Sequence, residues 1–187
     1  MIAVNDLKSG LTIELDGQVY QVISSEHHKP GKGQAVVRTR LREVESGKVF
    51  NKTFNAGIKV QRAHVDRRNM QYLYSRDDIF YLMDTENYEQ IEISRAQIRD
   101  VAQWLKEGET VMIASYQGKL LGLEPPQTVE RAVTKTEPGV RGDTAQGGTK
   151  PALIEGGVTV TVPLFVNQGD IIKVDTTTGE YVERVSN

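Results

Sequence analysis

The chain has 187 residues, 38% of them hydrophobic and 26% charged, with a net charge of −2 and no cysteine. That length suits two or three small β-domains better than one large one. The lack of cysteine excludes disulfides, a thiol nucleophile and cysteine zinc sites.

No apolar run approaches the roughly 20 residues that cross a bilayer as a helix. Met1–Gly10 carries Asp6 and Lys8 in place of a signal-peptide core, so a cytoplasmic protein is expected. Charge is unevenly spread. Residues 1–63 hold 10 Lys and Arg against 6 Asp and Glu, residues 64–127 hold 7 against 11, and residues 128–187 hold 6 against 8. Positive charge is concentrated in the first third, where contacts to phosphate would be cheapest.

In chain order, the first third reads as short strands joined by tight turns. Thr12–Leu15 and Val19–Ile23 flank Asp16-Gly17, a hairpin signal because both central positions of a type I′ turn need φ > 0. Ala35–Val44 alternates, setting Val37, Thr39 and Leu41 opposite Val36, Arg38, Arg40 and Arg42. Ser46-Gly47 and Asn55-Ala56-Gly57 turn the chain on either side of Val49–Phe54. A small, strongly bent sheet or barrel is expected.

The middle third predicts strands over Met70–Tyr74, Ile79–Met83, Glu89–Ile93, Thr110–Tyr116 and Leu120–Leu123. One helix stands among them. Ser94 and Gln97 form a capping box, Ile98, Val101, Ala102 and Leu105 recur at helical spacing, and Gly108 is a natural stop. One capped helix among five strands is compatible with an oligonucleotide-binding (OB) barrel. After Pro125-Pro126, strands are expected over Thr128–Thr134, Val158–Val162, Ile171–Val174 and Tyr181–Val185. Thr136–Pro151, rich in Gly, Thr and charge, is long for a simple connection and reads as a functional loop.

The segment His27-His28-Lys29-Pro30-Gly31-Lys32-Gly33-Gln34 lies between two β-like runs. Pro30 fixes φ, while Gly31 and Gly33 permit conformations closed to other residues and leave no side chain beside Lys32. The result is a stiff loop with one long cationic arm at its apex, a composition that also suits a solvated hairpin turn. A phosphate-binding loop is not expected, since the segment is too short for that motif and Gly33 stands where Ser or Thr should follow the lysine. His27 and His28 point to opposite faces of a strand and His64 is remote, so no metal site is expected. Asp77-Asp78 beside Arg76 reads as turn chemistry rather than an acid–base pair. The aromatic residues fall mostly in strand patterns, such as Tyr72 with Tyr74 and Phe80 with Tyr81, where core packing is expected. In the last third, the loop from Gly142 to Lys150, with Asp143, Thr144 and Thr149, offers small side chains and backbone donors suited to lie against a sugar–phosphate backbone, a composition that equally suits a disordered surface connector.

Together, Lys29-Pro30-Gly31-Lys32-Gly33-Gln34-Ala35, Met70-Gln71-Tyr72-Leu73-Tyr74, Gly142-Asp143-Thr144, Lys150-Pro151-Ala152, Val162-Pro163-Leu164-Phe165-Val166 and Gly179-Glu180-Tyr181-Val182 carry a resemblance. The chain resembles bacterial elongation factor P from end to end. The resemblance implies a mostly β protein of three consecutive small β-barrel domains in an L-shaped, tRNA-like outline. These would be an SH3-like (KOW-like) domain at residues 1–63 and two OB domains at 64–127 and 128–187.

It implies a monomeric, non-enzymatic translation factor with no cofactor, metal or membrane. Its partners would be both ribosomal subunits and the P-site peptidyl-tRNA. It would bind between the P and E sites and relieve stalling at consecutive prolines. Lys32 would be the functional tip, a residue whose amine is extended by a modifying enzyme in many members. Lys29, Pro30, Gly31, Gly33 and Gln34 would shape the tip, and Gly142, Asp143 and Thr144 would form a loop toward the small subunit. Two other readings carry less support from these motifs: an elongation factor P-like paralogue, which departs from both the tip and Gly-Asp-Thr patterns, and a general RNA-binding OB protein, which would rely on aromatic stacking.

Overall fold

The computed structural model describes residues 1–139 and 148–186. Its elements are strands, one short α-helix and two 3₁₀ turns. The strands are β1 (Ile2–Ala3), β2 (Thr12–Leu15), β3 (Gln18–His28), β4 (Val36–Glu43), β5 (Val49–Asn55), β6 (Lys59–Arg62), β7 (Asp66–Arg76) and β8 (Ile79–Asp84). They continue as β9 (Gln90–Ser94), β10 (Thr110–Tyr116), β11 (Lys119–Glu124), β12 (Thr128–Thr136), β13 (Thr149–Ile154), β14 (Thr159–Pro163), β15 (Ile171–Asp175) and β16 (Tyr181–Ser186). They form three sheets, ordered β1-β6-β2-β3-β4-β5, β11-β10-β7-β8-β9 and β14-β13-β12-β15-β16. No helix among the described residues is long and apolar enough to cross a membrane.

Turn chemistry sets the hairpins. Asp16 and Gly17 both have positive φ, 49° and 80°, and β2 pairs with β3 up to Leu15 opposite Gln18. The pairs Asp77-Asp78 and Gln117-Gly118 adopt the same handedness between β7 and β8 and between β10 and β11. Such turns match the twist of the strands they join.

The helix predicted from Ser94 to Leu105 is shorter than its apolar spacing implies. Ser94 N–H and Oγ–H donate to Gln97 Oε1 at 2.9 and 3.1 Å, so the cap forms. The α-helix α1 covers only Arg95–Ile98 and a 3₁₀ turn continues from Arg99 to Trp104. Arg99, at φ 49°, breaks the helix. Ile98 and Trp104 are both buried, and Trp104 joins the core of the third sheet. Six residues apart, they would point about 120° away from each other on one straight α-helix.

By packing, the chain divides into two compact units, Met1–Arg68 with Ile113–Gly122, and Asn69–Met112 with Leu123–Asn187. In the first, Val4, Ile13, Val22, Val37, Leu41 and Phe54 make the core of the first sheet. A second cluster joins Val19 and Ala63 to Ala114 and Leu121 of the β10–β11 hairpin. Tyr116 of that hairpin donates a 2.5 Å hydrogen bond to Glu14, and the carboxylate holds the phenol above its ordinary pKa. Lys119 pairs with Glu45 at 2.9 Å.

The second unit is held by a buried cation. Arg131, 2% exposed, donates from Nη1 to Glu109 Oε1 and the Glu130 carbonyl, both at 2.7 Å. Its Nη2 donates to the Trp104 carbonyl at 2.6 Å and Glu109 Oε2 at 2.8 Å. This is the two-pronged geometry that only a guanidinium offers a carboxylate. Nearby, Glu155 accepts from Lys106 at 3.0 Å and from the Ala132 N–H at 2.9 Å. The Lys106 hydrogen bond chiefly, helped by the Ala132 N–H and opposed by partial burial, holds the Glu155 carboxyl below its ordinary pKa.

Two tests follow from this packing. Arg131→Ala lowers stability by about 3 kcal/mol, since it strands two carbonyls and a carboxylate. Urea denaturation read by the fluorescence of Trp104, the only tryptophan, measures it, and Arg131→Lys fails to restore the midpoint. The depressed Glu155 pKa contributes stability above the unfolded value that is lost as pH falls through the folded one. Urea midpoints measured between about pH 5 and pH 3 therefore fall less steeply in Glu155→Gln than in the parent.

Candidate functional site

The first sheet contains a three-stranded ribbon. β3 and β4 pair from Tyr20 opposite Glu43 to His28 opposite Val36, with one register shift between Val22 and Ser24. β4 and β5 pair without a shift from Arg42 opposite Val49 to Val36 opposite Asn55. The ladder between His28 and Val36 closes a loop of residues 29–35. The loop's far side is stitched to the end of β5, where the Ala56 N–H donates to the Ala35 carbonyl at 2.9 Å. The turn after β5 is itself anchored, because the Gly57 N–H donates to Asn5 Oδ1 at 2.9 Å and the Val4 N–H to the Ile58 carbonyl at 2.8 Å.

Lys32 stands in this loop, exposed, and makes no hydrogen bond or ion pair with any described residue. Lys29, Gly31, Gly33 and Gln34 are exposed as well, and Pro30 is half-buried. The two glycines have different roles. Gly33 has φ +109°, a conformation that strains any other residue. Gly31 has no such φ, and a Cβ there would meet nothing within 4 Å. The conformational demand that the sequence placed on both glycines falls on Gly33 alone.

Behind the loop, the burial of β4 alternates. Val37, Thr39 and Leu41 are buried, and Arg38, Arg40 and Arg42 are exposed on the other face. Thr39 Oγ1 donates to the Lys52 carbonyl at 2.7 Å, so its polar group is satisfied inside. None of the three arginines has a hydrogen-bond or ion-pair partner among the described residues. Their cross-strand neighbours are Glu26 and Thr53, Ser24 and Asn51, and Gln21 and Val49. Only Arg38 has an acid, Glu26, directly opposite it; Arg40 and Arg42 face uncharged residues on both neighbouring strands. His27 and His28 are exposed on opposite sides of β3, in register with Val37 and Val36.

Gly142, Asp143 and Thr144 lie outside the described residues. The end of that predicted loop is strand, not loop. β13 begins at Thr149 and alternates so that Lys150, Ala152 and Ile154 are buried. Lys150 Nζ donates to the Glu137 carbonyl at 2.6 Å, which ties it to the body of the sheet. Pro151 disguised the strand, since proline lacks the donor a strand interior needs.

The aromatic pattern of the middle third also divides. Tyr72 and Phe80 are core residues, whereas Tyr74 is 46% exposed. Asp77 and Asp78 form the turn, Asp77 lying 3.6 Å from Arg76 and Asp78 bonded to Arg95 at 2.8 Å.

Comparison with known proteins places these features in a family. Residues 3–60 match the family model described as the elongation factor P (EF-P) KOW-like domain, residues 65–123 the EF-P OB domain, and residues 129–184 the elongation factor P C-terminal domain. Among curated relatives, an elongation factor P of Acetivibrio thermocellus is 52% identical over 185 residues, covering 99% of this chain and 100% of the relative. One from Coprothermobacter proteolyticus is 54% identical with the same coverage. Among solved structures, a eukaryotic translation initiation factor 5A from Methanococcus jannaschii aligns with a TM-score of 0.53 at 26% identity, over 64% of this chain and 88% of that one. An initiation factor 5A family protein from Naegleria fowleri aligns at 0.52 and 14% identity, over 66% and 96%, and bears on the fold alone. A mostly β chain with KOW-like and OB domains, matched by family models along nearly all of its length, belongs to the elongation factor P family.

Proposed function

We propose that this protein binds the ribosome between the P and E sites and stimulates peptide-bond formation where consecutive prolines stall it. Lys32 is the working group. The observation that carries the reading is its placement: an exposed lysine with no partner among the described residues, at the end of a ribbon whose strands are paired up to the loop.

Prolyl acceptors are slow nucleophiles with restricted geometry. A factor accelerates their reaction without a catalytic base when it holds the peptidyl-tRNA in a reactive arrangement. Lysine suits the task because a compact charge on a flexible stem reaches RNA phosphates, and its amine is a site for covalent extension by a modifying enzyme. Lys29, Pro30, Gly33 and Gln34 shape the loop around it. The exposed arginines of β4, without partners among the described residues, fit an RNA-facing surface. In this reading the factor acts in the cytoplasm as a monomer, and Gly142, Asp143 and Thr144 approach the small subunit.

In a reconstituted translation assay, Lys32→Ala lowers synthesis through a polyproline stretch to the level seen without factor, while its unfolding free energy stays within about 0.5 kcal/mol of the parent. Full rescue by Lys32→Ala would sink the assignment. Gly33→Ala imposes local strain of about 1–3 kcal/mol on the loop and gives intermediate rescue, whereas Gly31→Ala rescues fully. Equal rescue by both variants argues against a shaped tip. Intact-mass analysis of the native protein, with peptide mapping around Lys32, reads the modification directly.

A further inference from the structure

The outer face of the second sheet departs from that of a simply solvated sheet. β8 alternates between buried Phe80, Leu82 and Asp84 and half-buried Ile79, Tyr81 and Met83. An antiparallel strand with one wet side ordinarily reads apolar inside and polar outside. On β8 the outer side is apolar too, although its register neighbours there, Gln71 and Arg76 on β7 and Gln90 and Ser94 on β9, are polar.

Register sets Tyr74 of β7, Tyr81 of β8 and Glu92 of β9 in one row across three strands. The two rings stack with centroids 4.5 Å apart and planes 18° apart. That distance is close to the spacing of about 4.8 Å between neighbouring strands, as expected of a stacked cross-strand pair. On the other side of Tyr81, its register partner on β9 is Glu92, which is exposed and whose side chain makes no hydrogen bond or ion pair with any described residue. A cross-strand aromatic pair serves hairpin stability by itself. That role accounts neither for the unpartnered carboxylate beside it nor for apolar Ile79 and Met83 on the same face.

A planar cation satisfies all of these features. A guanidinium stacks on an aromatic face and pairs with a carboxylate in two-pronged fashion. A nucleobase would also stack on tyrosine. Its phosphates, however, would meet the Glu92 carboxylate, which has no cation partner among the described residues, in the most acidic third of the chain, whereas Asp77 and Asp78 are already paired with Arg76 and Arg95. We infer that Tyr74, Tyr81 and Glu92 form a binding site for an arginine side chain presented by a basic protein segment, with Ile79 and Met83 taking its apolar neighbours.

The test uses the full chain and three probes, a hexapeptide of alternating glycine and arginine, its lysine counterpart, and oligouridine, with the ring signals of Tyr74 and Tyr81 followed by NMR. The arginine peptide shifts both rings and the lysine peptide binds about fivefold more weakly. Glu92→Gln weakens the arginine peptide about tenfold, Tyr81→Ala abolishes the response at Tyr74, and Tyr81→Phe stays within about twofold of the parent. The inference is overturned if oligouridine shifts the rings at lower concentration than the arginine peptide, if the rings shift with protein concentration alone, or if Glu92→Gln binds like the parent. No ribosome enters this measurement, so its outcome is independent of the reading of Lys32.

Discussion

The antiparallel pairing of β3 with β4 is the constraint on which the functional reading depends. Backbone hydrogen bonds run along the ribbon to His28 opposite Val36, and β5 braces the same end through Val36 opposite Asn55. The entropy of closing the loop at residues 29–35 is thus borne by the ladder. A lysine on such a loop keeps a flexible side chain while its backbone is held from both sides. The buried row of Val37, Thr39 and Leu41 supplies the apolar contacts beneath.

The chain treats its cations in two opposite ways. Lys32 is left exposed and without partners among the described residues, which leaves its amine open to solvent. Arg131 is almost fully buried, and four hydrogen bonds compensate its desolvation. The residue types match the roles. A guanidinium fork satisfies several acceptors in fixed directions, whereas an ammonium is better as a free charge on a long stem. The arginines of β4 stand between these cases: held on a strand, yet without partners among the described residues and facing solvent. Like charges along one strand repel, and that cost is tolerable where a polyanion is the intended neighbour.

Local chemistry made much of this legible in the sequence. Asp16-Gly17 announced its hairpin because the turn demands positive φ, and the alternation of β4 announced its two faces because strand side chains have a period of two. The loop at residues 29–35 was legible from Pro30 and Gly33, whereas Gly31, read the same way, meets no such conformational demand. The exact strand Thr110–Tyr116 was readable from its apolar run, as was the Ser94–Gln97 cap. Pro151, in contrast, hid β13, and helical spacing after Ile98 promised a longer helix than forms.

What the sequence by itself determined was therefore local: where the chain turns, which side of each strand is wet, and that Lys32 has no bulky neighbour. Tertiary structure decided the rest, because it depends on residues distant in the chain. Burial of Trp104 in the third sheet's core accompanies the change from α-helix to 3₁₀ turn. Acceptors at Trp104 and Glu109, 27 and 22 residues away in the chain, make Arg131 a buried clamp, and the Glu137 carbonyl ties down Lys150 on β13. Register across β7, β8 and β9 brings Tyr74, Tyr81 and Glu92 into one row, and no local pattern records it, since pairing is fixed only when the whole sheet closes.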